Sequence, residues 1–115
     1  MPRITIIGAG SIIFCKTLMM DIMATDALKD SIVVLMNRTN RNRKLDRIRE
    51  FAKDVVKENN LPTKIEATLN RKEALKDADY VINMIQVGGI DAFQKDYEIP
   101  LQYGVDQCIG DTMGP

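Results

Sequence analysis

Residues 3–11 read Arg3-Ile4-Thr5-Ile6-Ile7-Gly8-Ala9-Gly10-Ser11, and this stretch decides the fold. All of the residues from Ile4 to Ile7 are β-branched, which is typical of a strand that is buried on both faces. Gly8 and Gly10 interrupt the run where an apolar helical pattern is about to begin. A buried strand, a glycine turn and a helix in this order indicate the first part of a βαβ unit that binds a dinucleotide.

The glycine turn supplies what a pyrophosphate needs. One glycine permits the sharp turn, and a second lets the backbone approach the phosphates without an intervening Cβ. The N–H groups of the following helix then face the anion. We assign the glycine roles to Gly8 and Gly10, and we place Ser11 and Ile12 beside them in the cofactor site. The third glycine of the fingerprint is replaced by Ile13, so we expect helix and strand to pack farther apart there.

A Gly-x-Gly pair alone is a weak signal, because many strand-to-helix turns use glycine without binding a ligand. The alternation of apolar patterns along the rest of the chain supports the nucleotide interpretation. The predicted elements are a largely covered helix over 11–24, strands over 31–36, 64–68 and 80–85, helices over 41–58 and 71–76, a helical stretch from 89 to 104 broken by Pro100, and an extended piece over 105–109. We therefore predict an α/β fold, a truncated Rossmann-like parallel sheet with helices on both faces, in one domain over residues 1–115.

Three polar or glycine-rich segments follow the predicted strands. They are Gly8–Ser11, Asn37–Asn40 and Asn83–Gly89, and the last contains two further candidate cofactor contacts, Asn83 and Gln86. Because the carboxyl ends of parallel strands meet at one edge of a sheet, the three segments are expected to line one crevice.

The end of the second strand is where an acidic side chain accepts the ribose hydroxyls of NAD in this architecture. This chain has Asn37 there, followed by Arg38 and Thr39, and Arg43 lies in a basic run over 41–49. A neutral amide does not repel a 2′-phosphate, and an arginine can bind one bidentately. These residues favour NADP slightly over NAD as the cofactor. The alternative is that the charges only solvate the outer face of a surface helix.

Composition excludes several classes of function. Lys+Arg and Asp+Glu both number 16 in 115 residues, so no net field favours nucleic acid or a membrane surface. The chain has no long apolar run and no signal-peptide pattern, which predicts a cytoplasmic protein. Cys15 and Cys108 are interpreted as small buried hydrophobes. Histidine is absent, so histidine catalysis and histidine metal ligation are excluded within these residues.

Five segments together resemble the N-terminal part of the family 4 glycoside hydrolases, especially their α-galactosidase branch. The segments are Ile4–Ser11, Glu73–Asn83, Ile85–Gly89, Asp96–Pro100 together with Tyr103-Gly104, and Ile109–Pro115. The resemblance implies an NAD-dependent enzyme that oxidises the sugar 3-hydroxyl, removes the 2-proton with a tyrosine base, eliminates the aglycone, adds water and returns the hydride. It also implies a divalent metal, typically Mn²⁺, held by a cysteine and a histidine of the longer parent enzyme. No residue of this chain matches those ligands or that base, so we assign no catalytic or metal site here.

The resemblance also bears on the substrate. The branch that acts on 6-phosphorylated sugars carries an arginine near the end of the fourth strand, where this chain has Gln86-Val87-Gly88-Gly89. This favours a non-phosphorylated hexoside, most simply an α-galactoside, as the substrate of the parent enzyme. The family usually has Asp where Asn37 stands, which is consistent with an altered cofactor preference.

Two interpretations remain open at this point. The chain is either the cofactor-binding part of such a glycosidase, which binds NAD(P) but does not turn over alone, or an autonomous or engineered NAD(P)-binding module without catalysis. A truncated sheet would expose an open edge and apolar surface, which predicts self-association into a homo-oligomer.

Overall fold

The structure is a computed structural model, and it describes residues 1–85 and 89–106. The chain forms two compact units, Met1–Ile85 and Gln86–Pro115. The first unit contains the whole sheet. The predicted single domain over residues 1–115 stays a prediction.

The first unit is built on a four-stranded parallel sheet of order β3-β2-β1-β4. Its strands are β1 (Arg3–Ile7), β2 (Ile32–Met36), β3 (Lys64–Thr68) and β4 (Tyr80–Asn83). Its helices are α1 (Ile12–Ala24), α2 (Lys44–Glu58) and α3 (Arg71–Leu75). The Rossmann-like parallel sheet predicted from the sequence is thus confirmed.

Helices cover both faces of the sheet, as predicted. Ile6 and Leu35 lie side by side in the register of the two central strands, and they pack in one buried cluster with Met19 of α1 and Ile48 of α2. On the other face, Val34 and Met36 pack against Ala74 of α3. The hydroxyl of Thr5 donates to the carbonyl of Ala74 at 2.6 Å and anchors α3 to the sheet.

Helix α1 is less covered than its apolar sequence predicts. Ile13 is 79% exposed and Phe14 67% exposed. In the first unit, the packed side of α1 is the one that meets the sheet and α2, and the opposite side faces outward. The Ile13 side chain lies outside the interface between helix and sheet, and the wider spacing expected there stays a prediction.

Strand β4 ends at Asn83, two residues earlier than predicted. Among the described strands it forms one edge of the sheet, and Tyr80 is 61% exposed and Val81 49% exposed despite their apolar run. An uncharged edge strand of this kind is a template for pairing with another chain. Self-association through it stays a prediction.

The start of the second helix also differs from the prediction. A short 3₁₀ turn occupies Arg41–Arg43, and the regular helix begins at Lys44. Asn42 and Arg43 both have left-handed backbones, with φ of 56° and 55°. The helical spacing of apolar residues cannot reveal such a turn, because that spacing starts only after it and carries no signal for the backbone of the polar residues before it.

Asn70 caps the N-terminus of α3. The Asn70 side chain accepts from the N–H groups of Lys72 and Glu73 at 2.9 and 3.4 Å. The Glu73 carboxylate does not return to the Asn70 N–H; it accepts from the hydroxyl of Thr68, which in turn accepts from the Asn70 N–H at 3.0 Å. The helix ends at Leu75, one residue before the predicted end.

The second unit contains one helix, α4 (Gly89–Gln102), among its described residues. Pro100 lies inside α4 and does not break it, contrary to the prediction. The proline sits in the last turn, where a missing N–H frees only the carbonyl of Asp96. Of the predicted extended piece, Val105 and Asp106 belong to no strand and the rest lies outside the described residues.

Cys15 lies on the packed side of α1, and desolvation by burial raises the pKa of its thiol to about 12. It therefore behaves as the small hydrophobe that the sequence predicts. Cys108 lies outside the described residues. Within 1–85 and 89–106, no helix has the length and apolar character that crossing a membrane requires.

Candidate functional site

The turn between β1 and α1 is tied to both neighbouring strands. The N–H groups of Gly8 and Ala9 donate to the carbonyl of Met36 at 2.9 and 3.0 Å, at the end of β2. The N–H of Met84, just after β4, donates to the carbonyl of Ile7 at 2.8 Å. These bonds bring the carboxyl ends of three strands together, as the parallel order predicts.

Gly8 has the turn role that the sequence assigns to it. Its φ is +91°, a backbone conformation that L side chains rarely adopt. A Cβ added there would lie 2.5 Å from the carbonyl oxygen of Met84. The missing side chain therefore lets the chain after β4 pass directly against the turn.

Gly10 is in contact with a second predicted site residue. A Cβ at Gly10 would lie 2.6 Å from Nδ2 and 3.0 Å from Cγ of Asn37. The Asn37 side chain thus lies over the glycine, and its Nδ2 donates to the carbonyl of Thr39 at 2.8 Å. The structure brings together the two segments that were predicted to hold the pyrophosphate and the ribose.

The N-terminus of α1 is open. Ser11 occupies the N-cap position, but its side chain makes no capping hydrogen bond, and the first turn contains no acidic residue. Among the described residues, no backbone carbonyl accepts from the N–H groups of Ile12, Ile13 or Phe14. Free N–H groups and the positive end of the helix dipole make this an anion-binding end.

The basic residues after β2 divide into two groups. Arg38 is exposed and makes no ion pair within the part of the chain that is described, and Thr39 is exposed beside it. Arg43 instead pairs with carboxylates of α2, at 3.7 Å from Asp46 and 3.5 Å from Glu50. The Arg43 side chain is therefore engaged by carboxylates of α2, whereas the exposed Arg38 side chain can reach a ligand.

The remaining predicted residues lie at or near β4. Asn83 ends the strand, in register with Ile7, and is exposed at the carboxyl edge of the sheet. Gln86 lies outside the described residues. Across residues 1–85 and 89–106, no three His, Cys, Asp or Glu side chains are grouped so that they could hold a metal ion.

Sequence reasoning missed one pair at the site, Asn40 and Asp46. The Asn40 Nδ2 donates to Asp46 Oδ2 at 2.9 Å, and the Asp46 N–H donates back to Asn40 Oδ1 at 3.3 Å. This hydrogen bond lowers the pKa of Asp46, and the charges of Arg49 and Arg43 lower it further. The six-residue separation does not match the spacing of an ordinary helix cap, so the sequence pattern carries no signal for it.

Comparison with known proteins gives a consistent result. The family model described as "Family 4 glycosyl hydrolase" matches residues 3–115. An alpha-galactosidase of Rhizobium meliloti (strain 1021) is 44% identical over 111 residues, which are 96% of this chain and 22% of that protein. An alpha-galactosidase of Bacillus subtilis (strain 168) is 38% identical, over 99% of this chain and 26% of that protein. The chain thus spans about a quarter of the length of these relatives.

A solved structure of the 6-phospho-beta glucosidase from Thermotoga maritima, containing manganese, NAD⁺ and glucose-6-phosphate, shares the fold. It superposes with a TM-score of 0.68 at 27% identity and covers 90% of this chain and 24% of that one. A 6-phospho-alpha-glucosidase from gut microorganisms in complex with NAD and glucose-6-phosphate gives a TM-score of 0.66 at 28% identity, over 92% of this chain and 24% of that one.

Proposed function

This chain belongs to the family 4 glycosyl hydrolases, and from that membership we propose that it is the dinucleotide-binding part of a longer glycosidase. The observation that carries the proposal is the open N-terminus of α1 beside Gly10, at the carboxyl edge of a parallel sheet. NAD bound there would supply reversible hydride transfer with the sugar. The membership favours this enzymatic function over a module that binds dinucleotide without any associated catalysis.

The residues of this chain fit the cofactor. Gly8 and Gly10 leave room for backbone approach, and the N–H groups of Ile12, Ile13 and Phe14 can receive the pyrophosphate. In this proposal Asn37 and Arg38 would face the adenosine ribose, because they follow β2 beside the glycine turn, and Asn83 lies at the same edge of the sheet beside β1. Two solved relatives were crystallised with NAD, which supports a dinucleotide in this position.

For the parent enzyme we propose a non-phosphorylated hexoside, an α-galactoside, as substrate. Two relatives at 44% and 38% identity are alpha-galactosidases, which supports this choice. The described residues do not fit a metal site, so the Mn²⁺ implied by the family would need ligands from elsewhere in the parent. We expect residues 1–115 alone to bind dinucleotide without cleaving a p-nitrophenyl α-galactoside, and release of nitrophenol by the pure chain would contradict this.

Binding of NAD is expected to stabilise the folded chain. A ligand present at about 100 times its Kd adds about 2.7 kcal/mol to the free energy of unfolding when it binds only the native state. Urea denaturation with and without millimolar NAD measures this shift, with nicotinamide alone as the control that lacks a pyrophosphate. An unfolding midpoint that does not move with NAD or NADP would contradict the proposed site.

We further propose that the chain prefers NADP, because no carboxylate stands at Asn37 and Arg38 is available to a 2′-phosphate. Arg38→Ala is expected to weaken NADP binding about tenfold and leave NAD binding unchanged, since the lost bond joins two charged groups. Asn37→Asp is expected to shift the preference to NAD. Isothermal titration of the wild-type chain and both variants with NAD and with NADP measures the six dissociation constants.

Arg47→Ala is the matched control for this experiment. It removes the same charge from an exposed position on α2 without touching the segment after β2, so its effect on either Kd should stay below about twofold. Equal losses of NADP affinity in Arg38→Ala and Arg47→Ala would show that only net charge matters.

A further inference from the structure

The β2–α2 loop, residues 37–43, connects the end of β2 to the first turn of α2. Resting on the dinucleotide site proposed above, we propose that Asn40 is a positioning residue: its side chain holds this loop in the conformation that presents Arg38 and Thr39 to the adenosine end of the cofactor. Asn40 itself needs no contact with the ligand.

The pairing of Asn40 with Asp46 uses both ends of the amide. Its Nδ2 donates to the carboxylate of Asp46 at 2.9 Å, and its Oδ1 accepts from the backbone N–H of the same residue at 3.3 Å. Two bonds to one residue fix both the position and the rotation of the amide plane. Since Asp46 lies in the first turn of α2, the loop is fastened to the body of the helix.

The β2–α2 loop contains strained backbone that hydrogen bonds such as these can stabilise. Asn42 and Arg43 follow Asn40 with two left-handed backbones in succession, at φ of 56° and 55°. Each left-handed non-glycine residue costs about 1 kcal/mol, so an unfastened loop would relax toward ordinary helix or extended backbone. Asp46 strengthens the fastening, because it also pairs with Arg43 at 3.7 Å and with Arg49 at 3.4 Å.

The Asn40–Asp46 pair determines which of the two arginines, Arg38 or Arg43, faces the ligand. At the start of the loop, Asn37 donates to the Thr39 carbonyl at 2.8 Å, so Arg38 lies between two fixed points, this bond and the Asn40–Asp46 pair. Asp46 and Glu50 hold Arg43 toward the helix. Arg38 is left at the end of β2, next to the residue that covers Gly10.

The test compares two asparagines that flank α2, Asn40 before its first residue and Asn59 after its last. Asn40→Ala is expected to raise the Kd for NADP about fivefold to tenfold, and to speed amide hydrogen exchange across residues 38–43. Asn59→Ala is the control, because the Asn59 side chain bonds the Val55 carbonyl at 2.9 Å at the other end of α2. It removes a hydrogen bond from the helix without touching the loop, so its Kd should change by less than about twofold.

Asp46→Ala should change both measurements in the same direction as Asn40→Ala but by less, because it removes the carboxylate that accepts from Asn40 and keeps the backbone N–H that donates to Asn40. Equal weakening in Asn40→Ala and Asn59→Ala would overturn the inference and assign the effect to general loss of α2 stability. Normal binding by Asn40→Ala would overturn it as well, while the proposed function would stand. A wild-type chain that binds neither dinucleotide would contradict both proposals together.

Discussion

Gly8→Ala is expected to remove most of the stability of the first unit, about 3 to 5 kcal/mol of unfolding free energy. The added Cβ would lie 2.5 Å from the carbonyl oxygen and 2.8 Å from the carbonyl carbon of Met84. Both atoms belong to the backbone, and Met84 is bonded to Ile7, so neither side can move without breaking the β1–β4 junction. The φ of +91° adds a second penalty for any side chain.

Urea denaturation followed by far-UV circular dichroism measures this loss. Gly104→Ala is the control for backbone conformation alone, because Gly104 has φ of +79° and nothing within 4 Å of an added Cβ. It should change the unfolding midpoint far less than Gly8→Ala does. If the two variants unfold at similar urea concentrations, the close approach of Met84 does not constrain Gly8.

The sheet could be predicted because its information is local. Strand β1 is a run of β-branched residues from Ile4 to Ile7, β2 is a continuous apolar run, and Gly8 stands where the chain must turn after β1. Alternation of strand and helix then fixes the parallel order. The burial of side chains on the outer sides of α1 and β4 could not be predicted in this way. Whether Ile13 or Tyr80 is covered depends on which elements lie beyond α1 and β4, and the residues themselves do not carry that information.

In the candidate site, too, some contacts could be predicted from local sequence and others depend on neighbouring elements. Gly10 and Asn37 were predicted from separate segments, and the structure places them in contact because the strands that precede them are neighbours. Arg43 was predicted as a cofactor contact from its charge, yet it pairs with Asp46 and Glu50. That outcome depends on left-handed backbone in the β2–α2 loop. Sequence periodicity is insensitive to such a turn, which is also why it did not reveal Asn40.

Gly10→Ala is expected to weaken dinucleotide binding about 100-fold while costing little stability. The Cβ would stand where the backbone has to approach the pyrophosphate, and two or three N–H bonds to the anion would be lost. Its nearest protein neighbour is Nδ2 of Asn37 at 2.6 Å, which belongs to a side chain that can rotate away. The stability loss should therefore be about 1 kcal/mol, well below that of Gly8→Ala.

The double variant Gly10→Ala with Asn37→Ala separates two causes of the weakened binding. Removing the Asn37 amide relieves its contact with the new Cβ, so the two substitutions should be less than additive in unfolding free energy. Binding should stay weak, because the methyl group still blocks the approach of the phosphates. If the second substitution restores most of the affinity, the role of Gly10 is to seat Asn37, and the pyrophosphate does not pass over it.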